Sequence, residues 1–487
     1  MHSQLARAAA GWTLAAALAA PAHAGNLLVN GGFETPIVPS GGYTNFGTGS
    51  TAITGWTVVG PQVAVVSGEF TEAAFSFPAK QGAQWVDLTG CCTNALQGVQ
   101  QTVSTMAGAT YRLSFWVGNV AGAPFGSSST VEVRIDGVSV GEFTNSIATQ
   151  IQEWQPFLIT FVADAASTTI TFLNRDPSTE THNGLDNVSL GRVPTDLALD
   201  FGPTFGAWVL TPATWTQLHN LSPVGMVTGD LDGDGSDDLV LNFGAAFGVW
   251  AWMNHATWQF LHPFSPSQMV SGDLDHNSRD DLVFVFPGYG VWRWSDGDWS
   301  QLHSLDASRL AIGQIDGVTG DDLILDFPGY GLYVFANNST WTGLHPFHAA
   351  ALLTADLDGN GQEEIVINFG APYGLWVYRN NATWTELHRL SPARLVEGEI
   401  DGDGRPDLVM DFGPPYGLWT FRNDATWAPL HGFSAEGIVL ADRDGTGKDE
   451  IVIDFGPTYG LWQYANDSTW NQLHGLSPAG LVAGRFH

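Results

Sequence analysis

Short acidic turns recur through the second half of this 487-residue sequence, and their residue types suit the binding of a hard divalent cation. The fullest copy reads Asp230-Leu-Asp232-Gly-Asp234-Gly-Ser-Asp-Asp238. Oxygens at positions 1, 3, 5 and 9 can converge on calcium, while glycine at positions 4 and 6 lets the backbone bend sharply enough to aim them. Other copies keep oxygen at the same places: Asp273, Asp275, Asn277 and Asp281; Asp356, Asp358, Asn360 and Glu364; Glu399, Asp401, Asp403 and Asp407. A sparser copy holds Asp442, Asp444, Thr446 and Glu450. At 314–322, Gln314 and Val318 replace two ligands, so that turn is expected to stay empty. An EF-hand is excluded: the twelfth position from Asp230 is Leu241 instead of glutamate, and β segments flank the loop.

A second constellation is aromatic. Trp-x-x-Leu-His recurs with Trp215, Trp258, Trp299, Trp341, Trp384, Trp427 and Trp470, at spacings of 41–43 residues. Each tryptophan is followed four residues on by His219, His262, His303, His345, His388, His431 or His474. Two roles fit. The pair could lock neighbouring repeats by packing and a ring N–H bond, or form a ring of shallow sugar sites in which an aromatic face stacks on a pyranose. A shared metal site is excluded for histidines about one repeat apart. The Tyr-Gly-Leu-Trp segments at 373–376, 416–419 and 459–462 add aromatics expected to lie mostly in the core. Asp-Phe-Gly at 200–202, 411–413 and 454–456 has no other kinase feature around it and is set aside.

Four short β segments must position these residues in each repeat. In the copy at 393–435 they are ARLVEGEI, DLVMDFG, YGLWTFRN and ATWAPLH, punctuated by Gly, Asn, Asp and Pro. Four strands per repeat of this length point to a β-propeller blade; a solenoid or a row of separate small domains is the competing reading. Residues 195–219 hold the second, third and fourth segments without a first, and LVAGRFH at 481–487 supplies a first segment alone. Joined, they make one blade, giving seven blades over 195–487 and a C-terminal clasp strand. Leu481 to Gly484 is expected beside Leu197–Asp200.

With Phe243-Gly244, Phe369-Gly370, Phe412-Gly413 and Phe455-Gly456, the repeat resembles the FG-GAP or VCBS repeats of integrin α-chain and bacterial secreted propellers. That resemblance implies structural calcium in up to six loops. The chain is also broadly similar to seven-bladed calcium-bearing fungal lectins and related bacterial lectins.

Residues 1–24 have the basic start, short apolar run and Ala-His-Ala ending of a secretory signal peptide. Residues 25–193 show about nine or ten alternating strands, hence a β-sandwich. The opening NGGFE and closing LDNVSL resemble galactose-binding-like jelly rolls of choice-of-anchor surface proteins, plant cell-wall proteins and carbohydrate-binding modules. The resemblance implies one more calcium, with Glu34 and Asp186 as candidate ligands. Trp56, Trp85, Trp116 and Trp154 read as core. Cys91 and Cys92 are the only cysteines, so no disulfide framework holds the fold.

Forty-nine acidic residues against 17 Lys and Arg give a net charge of −32, which repels nucleic acid and anionic lipid. No later segment approaches the roughly 20 apolar residues of a membrane span. The overall expectation is an all-β, secreted, calcium-binding protein without catalysis, composed of a jelly-roll sandwich and a seven-bladed propeller. Its expected partner is a glycan or another extracellular polymer. The alternatives are an adhesion protein that binds proteins, and a polysaccharide-active enzyme.

Overall fold

The computed structural model describes residues 26–90, 95–105, 109–163, 165–177 and 180–486. The signal-peptide assignment and the Cys91–Cys92 pair lie outside the described residues. Within them the fold is all β, and no helix is long and apolar enough to cross a membrane.

The N-terminal part stacks two antiparallel sheets. A six-stranded sheet runs in the order Tyr43–Gly47, Gln62–Ser67, Gln84–Asp87, Gly184–Arg192, Thr110–Asn119, Glu153–Val162. A five-stranded sheet runs Val138–Asn145, Ser129–Ile135, Ser167–Asn174, Gly98–Ser104, Thr57–Val59. Val63, Val65, Val86, Phe115 and Val117 of the first meet Val99, Val131, Val133, Ile170 and Phe172 of the second in one core. Alternate residues of the strand Gln62–Ser67 leave that core: Ala64 and Val66 join Phe75, Phe77, Trp85 and Phe125 in a smaller cluster on the sheet's other face. Trp56 and Trp85 are fully buried, each with its indole N–H donated to a backbone carbonyl.

From Asp196 onward the chain makes seven four-stranded antiparallel sheets. The second strands, Asp238–Asn242 for example, are buried along their whole length, because a neighbouring sheet covers each face. Leu239 and Leu241 pack toward the preceding sheet with Ala198 and Val209, whereas Val240 packs toward the following one with Leu282 and Phe284. Each adjacent pair of sheets shares such a cluster, and the cycle is completed by Leu197, Leu199 and Leu210 packed with Ala441, Val452 and Leu461. The first strands of successive sheets also touch in cyclic order. The first sheet draws on both parts of the chain. Gly480–Gly484 pairs antiparallel with Asp196–Asp200, setting Leu481 against Leu199 and Val482 against Ala198.

Candidate functional site

Each acidic turn joins the first and second strands of a sheet. In the turn at 230–238, Asp230 organises the bend: Oδ1 accepts the amides of Gly233 (2.8 Å) and Asp234 (3.1 Å), and Oδ2 that of Gly235 (2.9 Å). Gly233 and Gly235 have φ of 77° and 87°, a left-handed conformation that other residues adopt only with strain. One carboxylate oxygen from each of Asp230, Asp232 and Asp234 then lies within 4.8 Å of the others. Equivalent groups form from Asp356, Asp358 and Glu364, and from Glu399, Asp401 and Asp403.

Position 9 differs among the copies. Asp238 gives Oδ1 to the amide of Asn254 and Oδ2 to that of Leu231, so it braces the turn and stands outside the converging group. Glu364, fully buried, gives one oxygen to Leu357 and keeps Oε1 without a donor. Asp407 Oδ2 and Asp232 Oδ1 are likewise buried without donors. Burial and the neighbouring carboxylates push Asp238, Glu364 and Asp407 up to about 7. Buried anionic oxygens lacking donors are the chemistry that a bound hard cation would satisfy, so these three turns fit calcium.

The remaining turns form no such three-acid group among the described residues, and arginine explains two of them. Arg293 Nη1 stands 3.6 Å from Asp275 and 3.8 Å from Asp281. In the turn beginning at Asp442, Arg192 of the N-terminal sandwich places Nη1 3.2 Å from Asp442 Oδ2, and Glu450 gives an oxygen to the Arg443 amide. Asn277 and Asn360 spend their side-chain carbonyls on the amides of Arg279 and Gln362, while Asp444 Oδ1 accepts the amide of Thr446. At 314–322, Gln314 donates to the Val318 carbonyl. In the sandwich, Glu34 and Asp186 flank the turn at 80–84, accepting the amides of Ala83 and Gln84, and of Lys80 and Gln81, respectively.

Sequence reasoning missed two supports of these turns. Asn254, Asn380 and Asn423, in the bend between third and fourth strands, donate to the position-3 acids Asp232, Asp358 and Asp401 at 2.7, 3.2 and 2.7 Å. Their signal was a constant offset of 22 residues behind that acid. The position-8 acids reach the preceding sheet: Asp280, Asp321 and Asp449 accept the amides of Asp230, Asp273 and Glu399. Asp237 accepts that of Arg485, which continues the pattern through the first sheet.

The Trp and His repeats meet between sheets. His388 lies 4.7 Å from Phe412 and 5.1 Å from Trp427 of the next sheet, ring centre to ring centre. The same trio occurs at all seven junctions, among them His474 with Phe201 and Trp215. Each histidine Nδ1 accepts the amide two residues on, as from Leu390 at 3.1 Å, so in the neutral ring Nε2 carries the proton. Burial holds His262, His345, His431 and His474 below the usual histidine range, which favours that neutral form.

Above each trio lies an aromatic side chain whose exposure overturns the core expectation for the Tyr-Gly-Leu-Trp segments. Tyr373, Tyr416 and Tyr459 are about half exposed, as are Phe205, Phe247, Tyr289 and Tyr330 at the equivalent places. They sit on a tight bend. A Cβ on Gly417 would come within 2.3 Å of the His431 carbonyl, so only glycine lets the chain turn there and present Tyr416 outward. Trp419 Nε1 pins the bend by donating to the Tyr416 carbonyl. Between His388, Leu390, Tyr416, Trp419 and Trp427 is an open, mainly apolar pocket of about 260 Å³, and its neighbour around Tyr373 and Trp384 measures about 230 Å³.

Residues 26–189 match the family described as "Protein of unknown function (DUF642)". No curated protein matches the chain. Among solved structures, the chain is similar to BBS1N in complex with ARL6DN at 12% identity and a TM-score of 0.39, covering 58% of this chain and 87% of that one. It is also similar to TmCBM61 in complex with beta-1,4-galactotriose, at 20% identity and a TM-score of 0.22, covering 34% and 98%. The CBM22-1 xylan-binding domain from Paenibacillus barcinonensis Xyn10C gives 17%, 0.21, and 32% and 97%.

Proposed function

We propose that this chain is a secreted, non-catalytic recognition protein in which a seven-bladed β-propeller, stabilised by calcium, binds glycans at its blade junctions. The N-terminal sandwich is read as a galactose-binding-like jelly roll. The observation that carries the glycan reading is the junction pocket found at two neighbouring junctions, in which an exposed tyrosine, half-buried tryptophans and a histidine converge. Aromatic rings suit the C–H face of a pyranose, and the Nε2–H supplies a directed donor to a hydroxyl. Calcium acts beneath, in the turns of Asp230, Asp356 and Glu399. There it would neutralise converging carboxylates and fix the ends of the strands that carry the junctions.

Glycan-array binding by the purified mature chain, with calcium and with chelator, tests this reading. Binding of the calcium-loaded protein, weakened by Tyr416→Ala with the fold intact, is expected. A folded protein that binds no glycan would shift the reading to protein adhesion, and turnover of a polysaccharide would overturn the non-catalytic assignment. Chelation should lower the melting temperature of the tryptophan-rich sheets; an unchanged melt, with no calcium in elemental analysis, would refute the ion assignment.

A further inference from the structure

The six-stranded sheet of the N-terminal sandwich carries a cavity of about 110 Å³ on the face turned away from the main core. It is separate from the blade junctions and from every acidic turn. Strand alternation creates it: Trp85 and Asp87 point to this face from Gln84–Asp87, while Val86 points into the core. Tyr43, Phe70, Phe77 and Phe125 complete an aromatic lining. The acids Asp87 and Glu72 face the same space, and no Lys or Arg is among the described lining residues. The undescribed stretches nearest it in sequence, 91–94 and 178–179, contain no Lys or Arg either.

Asp87 is 9% exposed, and its two oxygens differ. Oδ1 accepts the Thr89 amide (2.9 Å), the Thr89 hydroxyl (2.8 Å) and the Asn183 amide (3.2 Å). Oδ2 accepts none from the described residues. Three donors fix the carboxylate, so its second oxygen is held ready with no Lys or Arg among the described lining residues to meet it. Burial without a basic partner pushes Asp87 up to about 7.

We propose that this cavity binds an organic ammonium group, with Asp87 Oδ2 as its counter-ion and the aromatic side chains as its walls. A cation is attracted to aromatic faces, most strongly where it is desolvated. A fixed carboxylate selects it over a neutral group of equal size, and the net charge of −32 raises the local concentration of cations. Two sources share that chemistry: an amino-sugar unit with a free amine, and a quaternary ammonium such as choline.

The test is calorimetric titration of the full chain, slightly above neutral pH, with glucosamine, choline and N-acetylglucosamine. At least one amine should bind, N-acetylglucosamine should bind roughly tenfold or more weakly, and Asp87→Asn should lose a similar factor. Asn can keep the Oδ1 bonds, and an unchanged melting curve would show that the variant is folded. Phe70→Ala, at the half-buried edge of the cavity, gives a second reading that leaves Asp87 intact and should also weaken binding. Glucosamine alone would identify an amino-sugar site, and choline alone a quaternary-ammonium site. No binding of either amine, an Asp87→Asn protein that binds them like wild type, or a neutral sugar that binds equally and is equally weakened by Asp87→Asn would each overturn the proposal. Because Asp87 lies outside the junction pockets, binding that Asp87→Asn leaves unchanged belongs to the junctions and binding that it removes belongs to this cavity, so the failure of either reading is distinguishable from the failure of the other.

Discussion

His182 shows how one buried side chain contributes to the acid behaviour of the sandwich. Its Nε2 lies 2.5 Å from Gln152 Oε1, and it packs among Phe77, Trp85 and Phe125. Burial holds its pKa at about 3. The unfolded chain therefore binds a proton near pH 6.5 that the folded chain refuses, so His182 costs stability progressively as pH falls from about 6.5 to about 3. Asp87 and Asp176, raised by burial to about 7 and about 8, act in the opposite direction over the same range. The net curve hides the effect, but a difference exposes it. The stability of His182→Gln relative to wild type should rise by about 1.4 kcal/mol per pH unit below pH 6. Denaturant melts at several pH values check this; a constant difference would show that His182 is charged in the fold.

At the scale of the element, the acidic turn and the bend opposite it form one unit. Asn254 takes a left-handed backbone at φ 49° and sends its amide group to Asp232, which lies in the converging group. Asn254→Gly, which removes the side chain and keeps the left-handed bend, should weaken calcium at that turn about 10–100-fold, since such partners orient the ligands. Calcium titration of the variant checks this, and unchanged affinity would remove the bend from the unit. The turns were legible in the sequence because their grammar is local: aspartates two residues apart with glycine between them. The asparagines were not, because Asn in a bend reads as turn chemistry alone. Only the strand register shows that it faces Asp232. Tyr416 was misread for a related reason: its neighbours Leu418 and Phe421 are buried, and only the bend at Gly417 turns it out.

The whole molecule depends on contacts between distant parts of the sequence. Leu197 and Leu199 are fully buried, and their strand pairs with Gly480–Gly484. Deleting residues 480–487 would leave that strand as an open edge. Each fully buried leucine contributes about 1.5–3 kcal/mol, so the seven-sheet region should lose several kcal/mol and melt at a lower temperature. Tryptophan fluorescence during thermal melting checks this, and a deletion variant melting like wild type would show that the pairing is dispensable. The seven repeats and the split first sheet were legible because periodicity survives at every spacing. The seam with the sandwich was not. Arg192 at Asp442, and Arg485 Nη1 donating to Thr110 Oγ1 at 2.5 Å, join residues whose sequence context is unremarkable on both sides.

The pocket beside Tyr416 recurs beside Tyr373 at the neighbouring junction, and the His–Phe–Trp trio beneath it recurs at all seven. Equivalent positions in successive sheets place neighbouring pockets at a regular interval, so a polymer held at one junction is presented to the next without a second diffusional encounter. Under the glycan reading, a chain able to span two pockets would gain avidity of about 10²–10⁴ over a single sugar, with no change in either contact. Monosaccharide affinities would then describe one junction and greatly understate the hold of the protein on an extended surface.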